Sequence, residues 1–189
     1  MVQKEYTQYI ETYLKETSEI AARIDLRVVC RMAQMLAELR SRGGRLFILG
    51  VGGSAANASH AVNDFRKIAG VEAYAPTDNV AELTAWTNDE SWECVFVRWL
   101  AESKLNSHDA LLIFSVGGGS GKASLNLVRA MEYAKQKGSP IMAVVGRDGG
   151  KAKDLADVAL LIPSVSQERI TAHTEGWHSI IWHLLANCV

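Results

Sequence analysis

Five short and largely continuous apolar runs follow residue 44: RLFILG (45–50), VEAYA (71–75), ALLIFS (110–115), PIMAVVG (140–146) and VALLIP (158–163). A strand covered on one face alternates apolar and polar residues, whereas a strand covered on both faces does not. Runs of this kind, separated by stretches of helical periodicity, predict an α/β, doubly wound, five-stranded parallel sheet flanked by helices. The intervening patterns predict helices over 54–68, 80–86, 92–102, 122–137 and 151–155, with a last helix over 174–187. The chain has only three prolines, Pro76, Pro140 and Pro163, all at strand edges or just beyond, where a missing N–H costs least.

Ahead of the sheet, residues from about Tyr6 to Arg40 contain no Gly or Pro and set Ile10, Leu14, Ile20, Ile24, Val28, Met32, Met35 and Leu39 at helical spacing. The pattern predicts one long helix, or two nearly continuous ones, stopped by Gly43 and Gly44. At about 1.5 Å per residue such a segment runs to roughly 50 Å, too long to hide its stripe against one small domain. Part of the stripe is therefore expected to meet another subunit. With 189 residues the chain suits one domain spanning 1–189, in which 1–42 contribute to oligomerisation.

Charge and cysteine usage narrow the function classes. Twenty basic residues against 21 acidic ones give a net charge of -1 with no block of one sign, which argues against general nucleic-acid or membrane-surface binding. The charged start lacks the apolar core of a signal peptide, and no apolar run approaches the roughly 18 residues of a membrane span, so a cytoplasmic location is expected. Cys30, Cys94 and Cys188 show no C-x-x-C spacing and are expected to be small buried hydrophobes.

Ligands of open parallel sheets bind beyond the carboxyl ends of the strands. Two of those ends are rich in glycine and serine: Gly50-Val51-Gly52-Gly53-Ser54 and Ser115-Val116-Gly117-Gly118-Gly119-Ser120-Gly121. Glycines let backbone N–H groups approach an anion, and serine hydroxyls add donors, so the pair of loops predicts a phosphate cradle. Gly50-x-Gly52-x-x-Ala55 also satisfies a permissive dinucleotide fingerprint, with Glu72 at 22 positions from Gly50 as its ribose acid. Glu72 stands near the start of its run rather than the end, which weighs against nicotinamide binding. A nucleotide P-loop fails twice, at Val116 and Ala123.

The combination of LFILGVGGSAANASH, FSVGGGS, VVGRDGGK and a histidine-rich last helix resembles the sugar isomerase (SIS) domain, and within it the phosphoheptose isomerases. The resemblance extends over almost the whole chain. It implies a flavodoxin-like SIS fold and aldose–ketose isomerisation of sedoheptulose 7-phosphate to D-glycero-D-manno-heptose 7-phosphate, in a homotetramer with sites at subunit interfaces. It further implies that His60, Asp64, Glu175 and His183 hold a zinc ion, and that His178 matches a family histidine. Phosphate and substrate contacts fall by the same resemblance on Gly52, Gly53, Ser54, Asn88, Asp89, Ser115, Gly117, Gly118, Ser120 and Glu175.

The chain departs from the family at several of these places. Asp64 stands for Glu, Glu175 for Gln and Val51 for Asn, and the glycine loop replaces a serine- and threonine-rich one. Spacing adds a caution: Glu175 and His183 are about 12 Å apart along a straight helix, so shared ligation needs a bent first turn at Gly176 or ligands from different subunits. By spacing alone Glu175 pairs with His178, His173 lies just before the helix, and His108 sits on the surface. In an enediol mechanism Asp64 is the base at carbon and His183 the acid or base at oxygen. A different class, a sugar-phosphate-binding or protein-interaction module without chemistry, is the alternative, and a His183 buried away from any crevice would favour it.

Overall fold

The computed structural model describes residues 2–189, with side chains from residue 4 onward. Its five strands, β1 (Leu46–Leu49), β2 (Ala73–Tyr74), β3 (Ala110–Ser115), β4 (Ile141–Val145) and β5 (Val158–Leu161), pair in parallel in the order β2-β1-β3-β4-β5. That is the flavodoxin-like order, with its switch point between β1 and β3. The second run is shorter than its pattern predicts, because 71 and 72 precede the strand. Glu72 therefore lies ahead of β2, where its carboxylate accepts from the Tyr74 hydroxyl at 2.7 Å. It stands at the end of the sheet opposite the ligand crevice, which removes the dinucleotide reading.

Among the described residues eight α-helices flank the sheet: α1 (Val2–Arg23), α2 (Leu26–Ser41), α3 (Gly53–Lys67), α4 (Val80–Asp89), α5 (Val95–Glu102), α6 (Leu125–Gln136), α7 (Gly150–Leu155) and α8 (Ile170–Cys188). Pleating divides each central strand between two cores. Leu46, Ile48, Leu112, Phe114, Met142 and Val144 face the side packed with residues of α2, α3 and α8. Phe47, Leu49, Leu111, Ile113, Ala143 and Val145 face the side covered from α5, α6 and α7. Both faces are buried, as the unbroken apolar runs require.

The N-terminal pattern resolves into two helices. Asp25 interrupts it as an N-cap, its Oδ1 accepting from the N–H groups of Arg27 at 2.9 Å and Val28 at 3.4 Å. Val29, Met32, Leu36 and Leu39 of α2 are buried, whereas Tyr6, Tyr9, Ile10 and Leu14 of α1 remain 55–66% exposed. The unspent stripe expected from the sequence thus lies on α1. Near its C-terminal half, α1 is tied to α8. Glu16 accepts two bonds from Arg169, at 2.7 and 2.8 Å, and one from His173 Nε2 at 2.8 Å, with Tyr13 stacked on His173 at 4.4 Å.

Two local expectations are corrected. Cys30 and Cys188 are exposed in the chain and Cys94 is half-buried, because each lies on the outer side of a helix or at its end. His173 is inside α8 and buried, because this helix begins four residues earlier than its apolar pattern suggests.

Candidate active site

Helices α3 and α8 build the first part of the site. They pack alongside one another in the same direction, so Gly53 meets Glu175, Asn57 meets Glu175 and Trp182, and Asp64 meets His183. Gly53, Asn57, His60 and Asp64 follow i, i+4, i+7, i+11 spacing, which puts them on one face of α3. His60, Asp64 and His183 converge there, their potential ligand atoms lying within 4.8 Å of one another.

Neighbouring groups set the orientation of each member. His183 Nδ1 donates to the Ser179 carbonyl at 2.7 Å, which leaves Nε2 facing Asp64 Oδ2 at 3.7 Å. Trp182 is fully buried and stacks on His183 at 3.5 Å between ring centroids, with His60 at 4.6 Å on a tilted ring. The Asp64 carboxylate is largely buried and accepts from Asn63 Nδ2 at 2.8 Å. A histidine whose far nitrogen is fixed by a carbonyl presents the other as a ready ligand, and two imidazoles with one carboxylate suit a divalent metal that keeps an open position.

Glu175 is absent from this cluster. Helix α8 runs without interruption through Gly176, so Glu175 lies in its second turn and reaches the start of α3 instead. A Cβ built on Gly53 would fall 2.6 Å from Glu175 Oε2, so only glycine lets the carboxylate lie against that first turn. The pairing of Glu175 with His178 also fails. His178 is fully buried, stacks on Phe114 and donates from Nε2 to the Val144 carbonyl at 3.0 Å. Burial pushes its pKa down to about 4, so it is a neutral core residue.

The second part of the site lies beyond β3 and β4. Ser115 Oγ accepts from the Gly118 N–H at 3.0 Å, and Ser120 Oγ accepts from the N–H groups of Lys122 and Ala123. These bonds shape the glycine loop and leave each hydroxyl hydrogen free to donate. The loop rests on the first turn of α7: Ala152 donates to the Gly118 carbonyl at 2.8 Å and Lys151 to that of Gly119 at 3.0 Å. A Cβ on Gly118 would fall 1.8 Å from the Gly149 carbonyl oxygen, so this backbone approach depends on glycine.

An open cleft of about 940 Å³ follows the loop, lined by Gly117, Gly119, Ser120, Ala123, Ser124, Arg147, Asp148, Ser164, Gln167 and Ile170. Gly117 and Ser120 are thus brought to the cleft, while Ser115 and Gly118 build its wall from behind. Gly52, Gly53 and Ser54 sit at the start of α3, with Gly52 at φ +64° and Ser54 buried. Asn88 and Asp89 bond one another at 2.9 Å at the exposed end of α4. His108 is exposed, as expected. Sequence reasoning missed Ser124, Arg147, Ser164 and Gln167. Arg147 and Ser164 follow two of the apolar runs directly, so reading every strand end, not only the glycine-rich ones, would have found them.

Known proteins share this arrangement of elements. The SIS domain family model matches residues 5–146. The phosphoheptose isomerase of Helicobacter pylori strain P12 is 32% identical, over 100% of this chain and 94% of its own length. The chain belongs to the phosphoheptose isomerase family of SIS-domain proteins. The lincomycin biosynthesis protein LmbN of Streptomyces lincolnensis is 34% identical over 93% of this chain, which spans 66% of that protein's length. A phosphoheptose isomerase structure from Francisella tularensis superposes with a TM-score of 0.86 at 24% identity, covering 100% of this chain and 97% of the other. The family fold thus extends through α1 and α2, and the five-stranded SIS sheet foreseen from the apolar runs is the one present.

Proposed function

We propose that the protein is a phosphosugar aldose–ketose isomerase that converts sedoheptulose 7-phosphate to D-glycero-D-manno-heptose 7-phosphate through an enediol. The observation that carries the reading is the convergence of His60, Asp64 and His183 from two parallel helices in a member of this family. Isomerisation moves a proton between C1 and C2 and another between the two oxygens, so it needs a base at carbon and a proton carrier at oxygen. Asp64 fills the first role. Its carboxylate is held by Asn63 with one oxygen toward His183. His183 fills the second, since Nε2 is the nitrogen left free by the Ser179 carbonyl.

His60, Asp64 and His183 are the residues that would hold zinc, which when bound supplies positive charge to stabilise the developing enediolate. A carboxylate engaged with a metal is a weaker base, so the two roles of Asp64 compete. The phosphate is assigned to the glycine loop through Gly117, Gly118, Ser115 and Ser120, with Ser124 added by its place in the cleft. Gly52, Gly53, Ser54, Asn88, Asp89 and Glu175 complete the proposed substrate contacts.

Residues 1–189 are read as one SIS unit that forms a homotetramer and works in the cytoplasm. Two features support the assembly. The apolar residues of α1 are exposed in the single chain, and the histidine cluster shares no residue with the lining of the cleft. Among the described residues no helix is long and apolar enough to cross a membrane. The non-catalytic module is the weaker reading, because the His183 side chain is 44% exposed and faces a carboxylate rather than being buried in the core.

The deciding experiment incubates purified protein with sedoheptulose 7-phosphate, with zinc or a chelator, and resolves ketose from aldose. Turnover that falls on chelation supports the metal-assisted isomerase. A folded protein that converts neither this substrate nor a small panel of phosphosugars overturns the reading.

A further inference from the structure

The carboxyl end of β4 carries a cation that the mechanism above does not use. Arg147 adopts φ +51°, a left-handed backbone conformation that residues bearing a side chain rarely take. Strain of this kind persists where the surrounding structure imposes it, and it concentrates at ligand clamps. Arg147 is exposed, lines the 940 Å³ cleft together with Gly117 and Ser120, and makes no hydrogen bond or ion pair through its side chain among the described residues. Gly117 and Gly119 likewise have backbone N–H groups without a protein partner there.

Charge bookkeeping singles this residue out. Arg169, near the other wall, is neutralised by Glu16 through two bonds. Lys151 and Lys153 line an adjoining shallower depression together with Asp154. Arg147 is the cation of the cleft lining itself, and Asp148 beside it accepts from the Gly150 N–H at 3.1 Å. A phosphate monoester carries about -1.5 to -2 charges at neutral pH, more than neutral backbone donors and serine hydroxyls compensate.

Resting on the reading of this cleft as the sugar-phosphate site, we propose that Arg147 is a substrate-positioning residue that holds the phosphate group against the glycine loop. It supplies the charge-assisted bonds that a loop of three consecutive glycines does not, and it selects phosphorylated over free sugars. Its contribution is made to the ground state and the transition state alike, so it sets KM more than kcat.

The test compares the wild type with Arg147→Asn and Arg147→Lys. Asparagine tolerates the left-handed conformation, so Arg147→Asn keeps or raises Tm, and loss of binding is not loss of fold. The expected result is a KM for sedoheptulose 7-phosphate raised about 10- to 100-fold in Arg147→Asn, the range of a charge-assisted hydrogen bond, with kcat changed less than about threefold. Arg147→Lys recovers most of the loss. A parallel titration with inorganic phosphate, followed by chemical-shift changes in the glycine loop, requires no turnover, and Arg147→Asn weakens this binding by a similar factor. Phosphate affinity unchanged within twofold in Arg147→Asn overturns the proposal. A wild type that binds phosphate through Arg147 but converts no phosphosugar refutes the isomerase reading and leaves this proposal standing.

Discussion

His183 holds Nε2 3.7 Å from Asp64 Oδ2, with its other ring nitrogen bonded to the Ser179 carbonyl. The relationship joins residues 119 positions apart in the sequence, and it depends on α3 and α8 running side by side in the same direction. It gives one carboxylate and one imidazole a fixed mutual geometry on a solvent-accessible helix pair.

Removing the proposed base while keeping the shape separates chemistry from folding. Asp64→Asn should lower kcat by about 10²- to 10⁴-fold, the usual worth of a positioned general base. Asp64→Glu restores the carboxylate and should retain measurable turnover. Rates of ketose-to-aldose conversion, with Tm as the control for folding, check both. An active Asp64→Asn enzyme would remove Asp64 from the base role.

Metal dependence makes a separate test of the cluster. Dialysis against a chelator should abolish most of the activity, and stoichiometric zinc should restore it. His60→Ala should weaken zinc binding at least 10-fold in calorimetry while leaving the Gly117–Ser120 loop unchanged. Zinc binding unaffected by His60→Ala would show that the ion sits elsewhere.

His178 predicts an acid limb of stability. Burial lowers its folded pKa from 6.5 to about 4, so the unfolded chain binds the extra proton between those values. Stability from keeping it neutral is present above pH 6.5 and is lost as pH falls toward 4, by up to roughly 3 kcal/mol. Urea unfolding at pH 7 and pH 5 measures the slope, and His178→Phe should flatten it. A wild-type curve equally stable at both pH values would contradict the buried neutral state.

The clamp between α1 and α8 also loses stability as pH falls, but in a lower range. Hydrogen bonds from Arg169 and then His173 hold the Glu16 carboxyl down at about 2, against an ordinary 4.5. Its stabilisation is therefore present above pH 4.5 and lost as pH falls through 2. Glu16→Gln should cost about 1–2 kcal/mol at pH 7, roughly 2–8 °C in Tm, and hydrogen exchange should rise in the C-terminal half of α1. An unchanged exchange pattern would show that α1 is held by other contacts.

Much of the architecture was legible because burial on two faces leaves an imprint on the sequence. The runs at 45–50, 110–115 and 140–146 became the central strands, and the glycine loops fell at their ends. The break at Asp25 was harder to see, since the apolar stripe continues across it and only the capping side chain marks the change. The early start of α8 was hidden for a related reason: its first turn mixes Ile170 and Ala172 with Thr171 and His173, and His173 and the preceding Arg169 find their partner, Glu16, only on α1.

The sequence by itself determined the parallel sheet, because apolar continuity and local spacing depend on near neighbours, and its resemblance to the phosphoheptose isomerases supplied the list of residues able to do chemistry. Only the tertiary structure decided which members of that list meet. The parallel packing of α3 and α8 joined His60 and Asp64 to His183, carried Glu175 to Gly53 and sent His178 into the core. The pairing of β3 with β4 set Arg147 beside the glycine loop in one cleft. Those choices rest on the relative placement of elements distant in the chain, and no periodicity within any one of them encodes it.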